Sequence, residues 1–276
     1  MTSFKLIQSN KPTQSIQVLK SADLNNEVNE DLAEETPVAL IYNGISHVVM
    51  MASPVDLKDF ALGFSITESI VSNKSDIYSM EENIKSNGIE LNIEISSECF
   101  SKLKEVRRNL TGRTGCGLCG AESLNQVVNI PKLKENKSIP TFSTQSILSA
   151  MDSFSDKQGL QKKTGATHAC GLFDEAGKLI LIREDVGRHN ALDKLIGAIL
   201  RESLKVSLKN FFVLTSSRAS YEMVQKLISI DLKLLVAISA PTALAVRLAD
   251  QYNVTLIAFA RNKRFNIYSH KNNISE

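Results

Sequence analysis

Hydrophobic positions along the first part of the chain follow two periods. Val38–Tyr42 and His47–Met51 are short apolar runs separated by Asn43-Gly44, a pair that favours the tight turn of a β-hairpin. Asp56 then stands where it could cap a helix in which Leu57, Phe60, Ala61 and Phe64 share one face. Ile89, Leu91, Ile93 and Ile95 alternate with polar residues, the period of a half-buried strand, and a helix is expected from about Cys99 to Leu110. On either side the pattern lapses. Residues 1–33 are polar, turn acidic near Glu27–Glu35 and read as a mobile arm. Asn129–Pro140 is polar with a proline near each end, so residues 129–142 read as a linker or exposed crossing. The expected organisation is an arm, an α+β region over 34–128, the crossing, and an α/β domain over 143–276.

The last region has the sharper rhythm. Strands are expected at Lys178–Arg183, Asn210–Thr215, Leu232–Ser239 and Val254–Ala260, with helices at about Asn190–Leu204, Ser220–Ile230 and Pro241–Tyr252. Strand and helix alternate, which implies a mostly parallel sheet with right-handed crossovers. Pro241 suits the first turn of its helix. The segments after the strands, Glu184–His189, Ser216–Arg218, Ser239–Thr242 and Arg261–Arg264, should gather at the carboxyl edge of the sheet, where open α/β sheets bind ligands. Arg188, Arg218, Arg261 and Arg264 would then face the helix N-termini that favour anions, which implies an anionic or phosphate-bearing ligand. No G-x-G-x-x-G follows a strand and no P-loop is present.

Composition narrows the class without naming a function. The chain has 276 residues, 43% hydrophobic and 22% charged, enough for one large or two modest cores. A net charge of +2 gives no argument for a nucleic-acid or membrane surface. The N-terminus lacks the apolar core of a secretion signal, and no apolar run approaches the roughly 20 residues of a membrane span. A cytoplasmic protein with reduced thiols is expected.

Four cysteines in such a chain are not a disulfide framework, and a C-x-x-C pair points to catalysis or metal binding. That pair, Cys116 and Cys119, lies in T-G-R-T-G-C-G-L-C-G (Thr111–Gly120), whose four glycines disfavour a helix by roughly 1 kcal/mol each. Arg107, Arg108 and Arg113 are near in sequence and would favour thiolate. Three chemistries fit: a dithiol redox pair, half of a zinc site, or a sulfur carrier. A thioredoxin-type pair opens a helix after a strand, whereas glycines flank this one on both sides. A carrier needs a nucleophilic thiolate on a segment able to reach two partners. His168 and Cys170, in T-G-A-T-H-A-C-G, would complete a zinc site with the pair; otherwise Cys170 is a buried small hydrophobe and His168 a hydrogen-bonded loop residue. Cys99 reads as packed on its helix. His189, beside Asp185 and Arg188, reads equally as a ligand-edge residue or a capping histidine.

Several segments together resemble the FdhD/NarQ family. They are R-T-G-C-G-L-C-G (Arg113–Gly120), T-G-A-T-H-A-C-G-L-F (Thr164–Phe173), R-E-D-V-G-R-H-N-A-L-D-K-L-I-G (Arg183–Gly197), S-S-R-A-S-Y-E-M-V-Q-K (Ser216–Lys226) and S-A-P-T-A-L-A-V-R-L-A (Ser239–Ala249). The likeness runs from about Glu34 to Tyr268. It implies a sulfurtransferase that accepts persulfide sulfur from a cysteine desulfurase. It further implies delivery to the molybdenum cofactor in its bis-molybdopterin guanine dinucleotide form, for formate dehydrogenase. By the same resemblance Cys116 bears the persulfide, Cys119 is its companion, and Phe259, Ala260, Arg261, Asn262, Lys263 and Arg264 bind the cofactor, with a guanine nucleotide as a mimic. Arg188, Arg218 and His189 join them from the sheet-edge reading. A cytidine-deaminase-like αβα sandwich, a homodimer and no permanently bound metal are implied too. Deamination is not, because no H-x-E occurs in the chain. Ala166 and Cys170 stand where glycine and alanine are more usual in the family.

Overall fold

The computed structural model describes residues 11–110, 140–202 and 208–276. Residues 13–33 pair with themselves: β1 (Thr13–Lys20) and β2 (Asp23–Ala33) form an antiparallel hairpin where an arm without structure was expected. Its period was hard to read because Val18 and Val28 pair on a ribbon otherwise rich in Asn, Asp and Glu. Next come β3 (Thr36–Tyr42) and β4 (Ile45–Ala52), joined at Asn43 (φ 46°) and Gly44 (φ 79°), the left-handed pair a two-residue hairpin turn requires. With β5 (Ile77–Lys85) and β6 (Gly88–Ile95) they form a four-stranded sheet in the order β4-β3-β6-β5. Ile89, Leu91, Ile93 and Ile95 point into one core with Val38, Leu40 and Tyr42. That core is closed by α1 (Leu57–Thr67) and α2 (Ser97–Leu110), the latter burying Cys99 and Leu103.

The second core surrounds a six-stranded sheet. Its strands are β8 (His168–Asp174), β9 (Leu179–Asp185), β10 (Phe211–Thr215), β11 (Leu234–Ala237), β12 (Thr255–Arg261) and β13 (Arg264–Ile267), in the order β13-β12-β11-β10-β8-β9. The expectation of a mostly parallel sheet is corrected. The β10–β11 and β11–β12 pairs are parallel, and the β8–β9, β8–β10 and β12–β13 pairs are antiparallel. The reason is β8, an unforeseen strand inserted between β9 and β10. Strands β9 to β12 still run the same way, so their carboxyl ends share one edge.

Helices cover both faces. On one side lie α5 (Arg188–Arg201), α6 (Tyr221–Ser229) and α7 (Ala243–Gln251), packed through Leu192, Leu195, Val224, Leu227 and Leu248 onto Cys170, Val213, Leu235 and Leu256. On the other, α3 (Thr144–Lys157), continued by the short α4 (Gly159–Thr164), sets Ile147, Ala150 and Phe154 against Phe173, Phe212 and Val236. Ser143 caps α3 by accepting from the Ser146 amide at 3.0 Å. The expected crossing over 129–142 lies mostly outside the described residues, but its end does not: Phe142 is buried in β7 (Phe142–Ser143), paired with β14 (Ile274–Ser275). Pro241 precedes its helix, and Thr242 supplies the cap to the Ala245 amide at 3.3 Å.

The two regions meet where α1 crosses α5. A Cβ added at Gly63 would lie 1.8 Å from the Asp193 carbonyl oxygen, and one at Gly197 would lie 1.8 Å from that of Asp59. Backbone therefore touches backbone, and α5 is enclosed between sheet and α1, buried from Asn190 through Ile199. Polar groups trapped beside this crossing are paired. Asp59, 1% exposed, receives Arg183 at 2.8 Å and also binds Arg201. Asp193 accepts from Thr67 Oγ1 at 2.8 Å and from Lys226 Nζ at 3.0 Å. Asp56 does not cap α1 as expected. It sits in the left-handed region (φ 54°) without a side-chain cap bond, its carboxylate 3.6 Å from Arg183.

Overpacking a well-filled contact costs about 1–3 kcal/mol, and here the obstacle is backbone. Gly197→Ala is thus expected to destabilise the protein by about 3 kcal/mol. Urea unfolding of the two proteins checks this; a change within about 0.5 kcal/mol, the range of neutral surface substitutions, would contradict the close crossing.

Candidate functional site

The site is built on the carboxyl edge of the six-stranded sheet, and the segment after β9 supplies most of its frame. Each polar residue from Arg183 to Asn190 has its own task. Arg183 pairs with Asp59. Glu184 accepts the Leu160 and Gln161 amides at 3.0 and 2.9 Å and so caps α4. Asp185, fully buried, accepts from Lys194 Nζ at 2.6 Å, the Ser53 amide at 3.0 Å, the Gly187 amide at 2.8 Å and Asn190 Nδ2 at 3.0 Å. Both its oxygens are saturated, as a carboxylate without water must be. Lys194 also donates to the Ser53 carbonyl at 2.9 Å, and Asn190 to that of Met51 at 2.8 Å. The strand β4 and its exit therefore brace the turn from which Arg188 and His189 emerge. Asp185 was read as a ligand-edge neighbour of His189; its role is to hold that turn.

Arg188 differs from these neighbours. Its Nε is buried without a hydrogen-bond partner among the described residues. Desolvation lowers its pKa, and the positive charge of Arg218 adds to the shift. Arg218 is exposed. His189 Nε2 lies 2.8 Å from Glu222 Oε2 and 3.4 Å from Ser220 Oγ. That contact, first among its causes, holds Glu222 below the usual carboxylate range. Neither Glu222 nor Ser220 was singled out from sequence; the readable signal was an acidic residue in the first turn of a helix opening on the same edge as His189. His168 faces Asp185 across the β8–β9 pair and is half-buried. Burial, then Arg188, lowers its pKa, which keeps the ring neutral near pH 7.

Further along the edge, β12 and β13 form a hairpin. Asn262 and Lys263 make its turn with φ of 55° each, and Phe259 takes φ 53° at a bulge between Ala258 and Arg261. The bulge breaks the ladder next to the site and turns its residues, a common use of such irregularities. The Arg261 guanidinium lies 5.8 Å from the centre of the Phe259 ring. Arg261, Asn262, Lys263 and Arg264 are exposed while Ala260 is buried. Between this hairpin and Arg218 the exits of β10 and β11 are laced together, with Ala219 N donating to Ala240 O at 3.2 Å and Thr242 N to Ala219 O at 3.0 Å.

Other sequence candidates separate. Cys116 and Cys119 lie outside the described residues. Cys170 is fully buried, its thiol pushed up to about 12 by desolvation and hydrogen-bonded to Thr215 at 3.5 Å. It is the packed hydrophobe of the two readings. No cluster able to hold a metal ion occurs among the described residues. None of the described helices is long and apolar enough to cross a membrane.

Fold and site together define a mixed-sheet α/β protein whose carboxyl edge presents cations with few carboxylates to neutralise them. The FdhD/NarQ family profile matches residues 33–275. A sulfur carrier protein FdhD of Cupriavidus necator is 52% identical over 87% of this chain and 82% of its own. One of Bordetella bronchiseptica is 50% identical over 90% and 88% respectively. A crystal structure from Desulfotalea psychrophila, of a chain described as a formate dehydrogenase accessory protein, superposes with a TM-score of 0.69 at 25% identity, covering 95% of this chain and 98% of that one. This chain belongs to the FdhD/NarQ family.

The His189–Glu222 contact has a pH signature. The folded state holds the Glu222 proton less tightly than the unfolded chain, so the pair's stabilisation is complete above about pH 5 and lost as pH falls through the depressed folded value. Glu222→Gln is expected to lower stability at pH 7 by about 1 kcal/mol or less, the gap closing below about pH 4. Thermal melts from pH 7 to pH 3.5 check it, and parallel profiles for the two proteins would show that the pair contributes nothing.

Proposed function

We propose that this chain is a sulfurtransferase that carries sulfur on Cys116 and delivers it to a molybdenum cofactor seated on the carboxyl edge. The donor is a cysteine desulfurase, the substrate is the bis-molybdopterin guanine dinucleotide cofactor, and the recipient of the sulfurated cofactor is formate dehydrogenase. The working unit is a homodimer. Family membership and the names of the relatives support the carrier role. The observation that carries the substrate is the row of cations without carboxylate partners among the described residues: Arg188, Arg218, Arg261, Lys263 and Arg264. Guanidinium groups bind phosphate oxygens in pairs of parallel hydrogen bonds, and the buried Nε of Arg188 lacks such an acceptor. Phe259 and Arg261 offer planar groups on which a guanine base can stack.

The chemistry follows from thiol exchange. The Cys116 thiolate attacks the outer sulfur of the desulfurase persulfide, the donor's S–S bond breaks, and the donor cysteine leaves as thiolate. The sulfur now on Cys116 needs two electrons to leave as sulfide. Cys119 supplies them by attacking the inner sulfur, which releases sulfide and closes a Cys116–Cys119 disulfide. A cellular thiol then reduces that disulfide.

Incubation with desulfurase and cysteine is expected to add about 32 Da, one sulfur atom, to the wild-type protein. Cys116→Ala should lose the adduct. Cys119→Ala should keep it but release sulfide only when an external thiol is added. An undiminished adduct in Cys116→Ala would sink the assignment. On the substrate side, Arg261→Ala should weaken binding of GDP about tenfold, the loss of one charge-assisted contact, as read by calorimetry.

A further inference from the structure

The arginine, lysine and histidine side chains of the carboxyl edge fall into two groups separated by a neutral stretch. Along the edge the strand order reads β13-β12-β11-β10-β8-β9. Arg264, Lys263 and Arg261 belong to the β12–β13 hairpin. The exit of β11, Ser239-Ala240-Pro241-Thr242, carries no charge. Arg218 then leaves β10, His168 opens β8, and Arg188 and His189 follow β9. Neighbouring strands are spaced by about 4.8 Å, so β9 stands about 19 Å from β12, too far for one compact anion to touch both the Arg188 turn and the hairpin.

The backbone draws the second group together. The Ala169 amide donates to Ser216 Oγ at 2.9 Å, the Ser216 amide donates to Ala169 O at 3.0 Å, and His168 stands opposite Asp185 in the β8–β9 pair. Arg188 also feels the charge of Arg218, and His168 that of Arg188. The group's carboxylates are already engaged: Asp185 with Lys194, and Glu222 with His189. The two guanidiniums have no bonded counter-charge among the described residues. Gly187 offers no side chain to cap α5, so the first turn of the helix that bears Arg188 and His189 carries no side-chain cap. Asp185 and Asn190 hold the Gly187 turn in position before any ligand arrives.

We propose that Arg188, Arg218 and His168, with the first turn of α5, form a second subsite that takes a compact tetrahedral oxyanion, separate from the nucleotide-binding hairpin. The proposal rests on the reading of the edge as the substrate site and divides it. The hairpin holds the guanine nucleotide part, and the arginine basin holds an oxyanion borne elsewhere on the same substrate, either a phosphate or the oxo-metal end.

The test uses the full-length protein and calorimetric titration with orthophosphate and, separately, molybdate. Orthophosphate or molybdate should bind the wild type, with affinity falling at least tenfold in Arg188→Gln and in Arg218→Gln and staying within twofold in Arg264→Gln. GDP should show the opposite sensitivity, and saturating oxyanion should leave its affinity within twofold. Tighter phosphate binding assigns the phosphate, tighter molybdate the oxo-metal end; either order supports the subsite. Binding of neither oxyanion, or an equal loss in Arg264→Gln, overturns it. Arg218 is exposed, so its variant serves even where Arg188→Gln fails to fold. Persulfide loading is measured independently: its failure would remove the carrier reading and leave the oxyanion result standing.

Discussion

The frame of the carboxyl edge depends on how closely α1 and α5 pack. With glycine at both contact points, backbone meets backbone and no side chain can intervene. Three carboxylates are buried around that joint, and each is matched by a cation: Asp59 by Arg183 and Arg201, Asp193 by Lys226, and Asp185 by Lys194 on α5 itself. Burying such pairs brings little net stability, but removing one partner leaves an uncompensated charge and costs about 3–5 kcal/mol. The result is a joint with one permitted geometry. Because Asp185 also binds the Gly187 amide and the Ser53 amide, that geometry extends to the turn bearing Arg188 and His189.

The arginines consequently divide into two populations. Arg183 and Arg201 bind a buried carboxylate and hold the two regions together. Arg188 and Arg218 stand near each other with no bonded carboxylate among the described residues, an arrangement that works against stability in the empty protein. Departures from local consistency of this kind concentrate where a ligand is meant to restore the balance. The left-handed Phe259 at the β12 bulge is a second such departure on the same edge.

Much of the fold could be read from periodicity. The Asn43-Gly44 turn, the alternation from Ile89 to Ile95 and the strands ending at Thr215 and Ala237 stand within a few residues of their expected places. The failures have physical causes. His168–Asp174 looked like a loop because it carries His, Cys and Gly within a strand that is buried from Ala169 to Phe173. Its insertion beside β9 made the sheet mixed, and strand order across a sheet leaves no local trace in the sequence. Asp56 had the composition of a cap, but Arg183 lies close enough to draw its carboxylate away from the helix.

From the sequence alone came the elements, the likeness to FdhD/NarQ proteins, the paired cysteines, and the placement of arginines after successive strands. These are matters of local period and motif, which a chain expresses over a few residues. Tertiary structure decided which charged residues are structural and which are free to act. Arg183 and Arg188 stand five positions apart in one motif and look alike there. Arg183 is neutralised by Asp59, 124 residues away in the chain, and Arg188 meets no such partner among the described residues. Charge compensation is settled by distance in space, so it became visible only when the two regions were brought together.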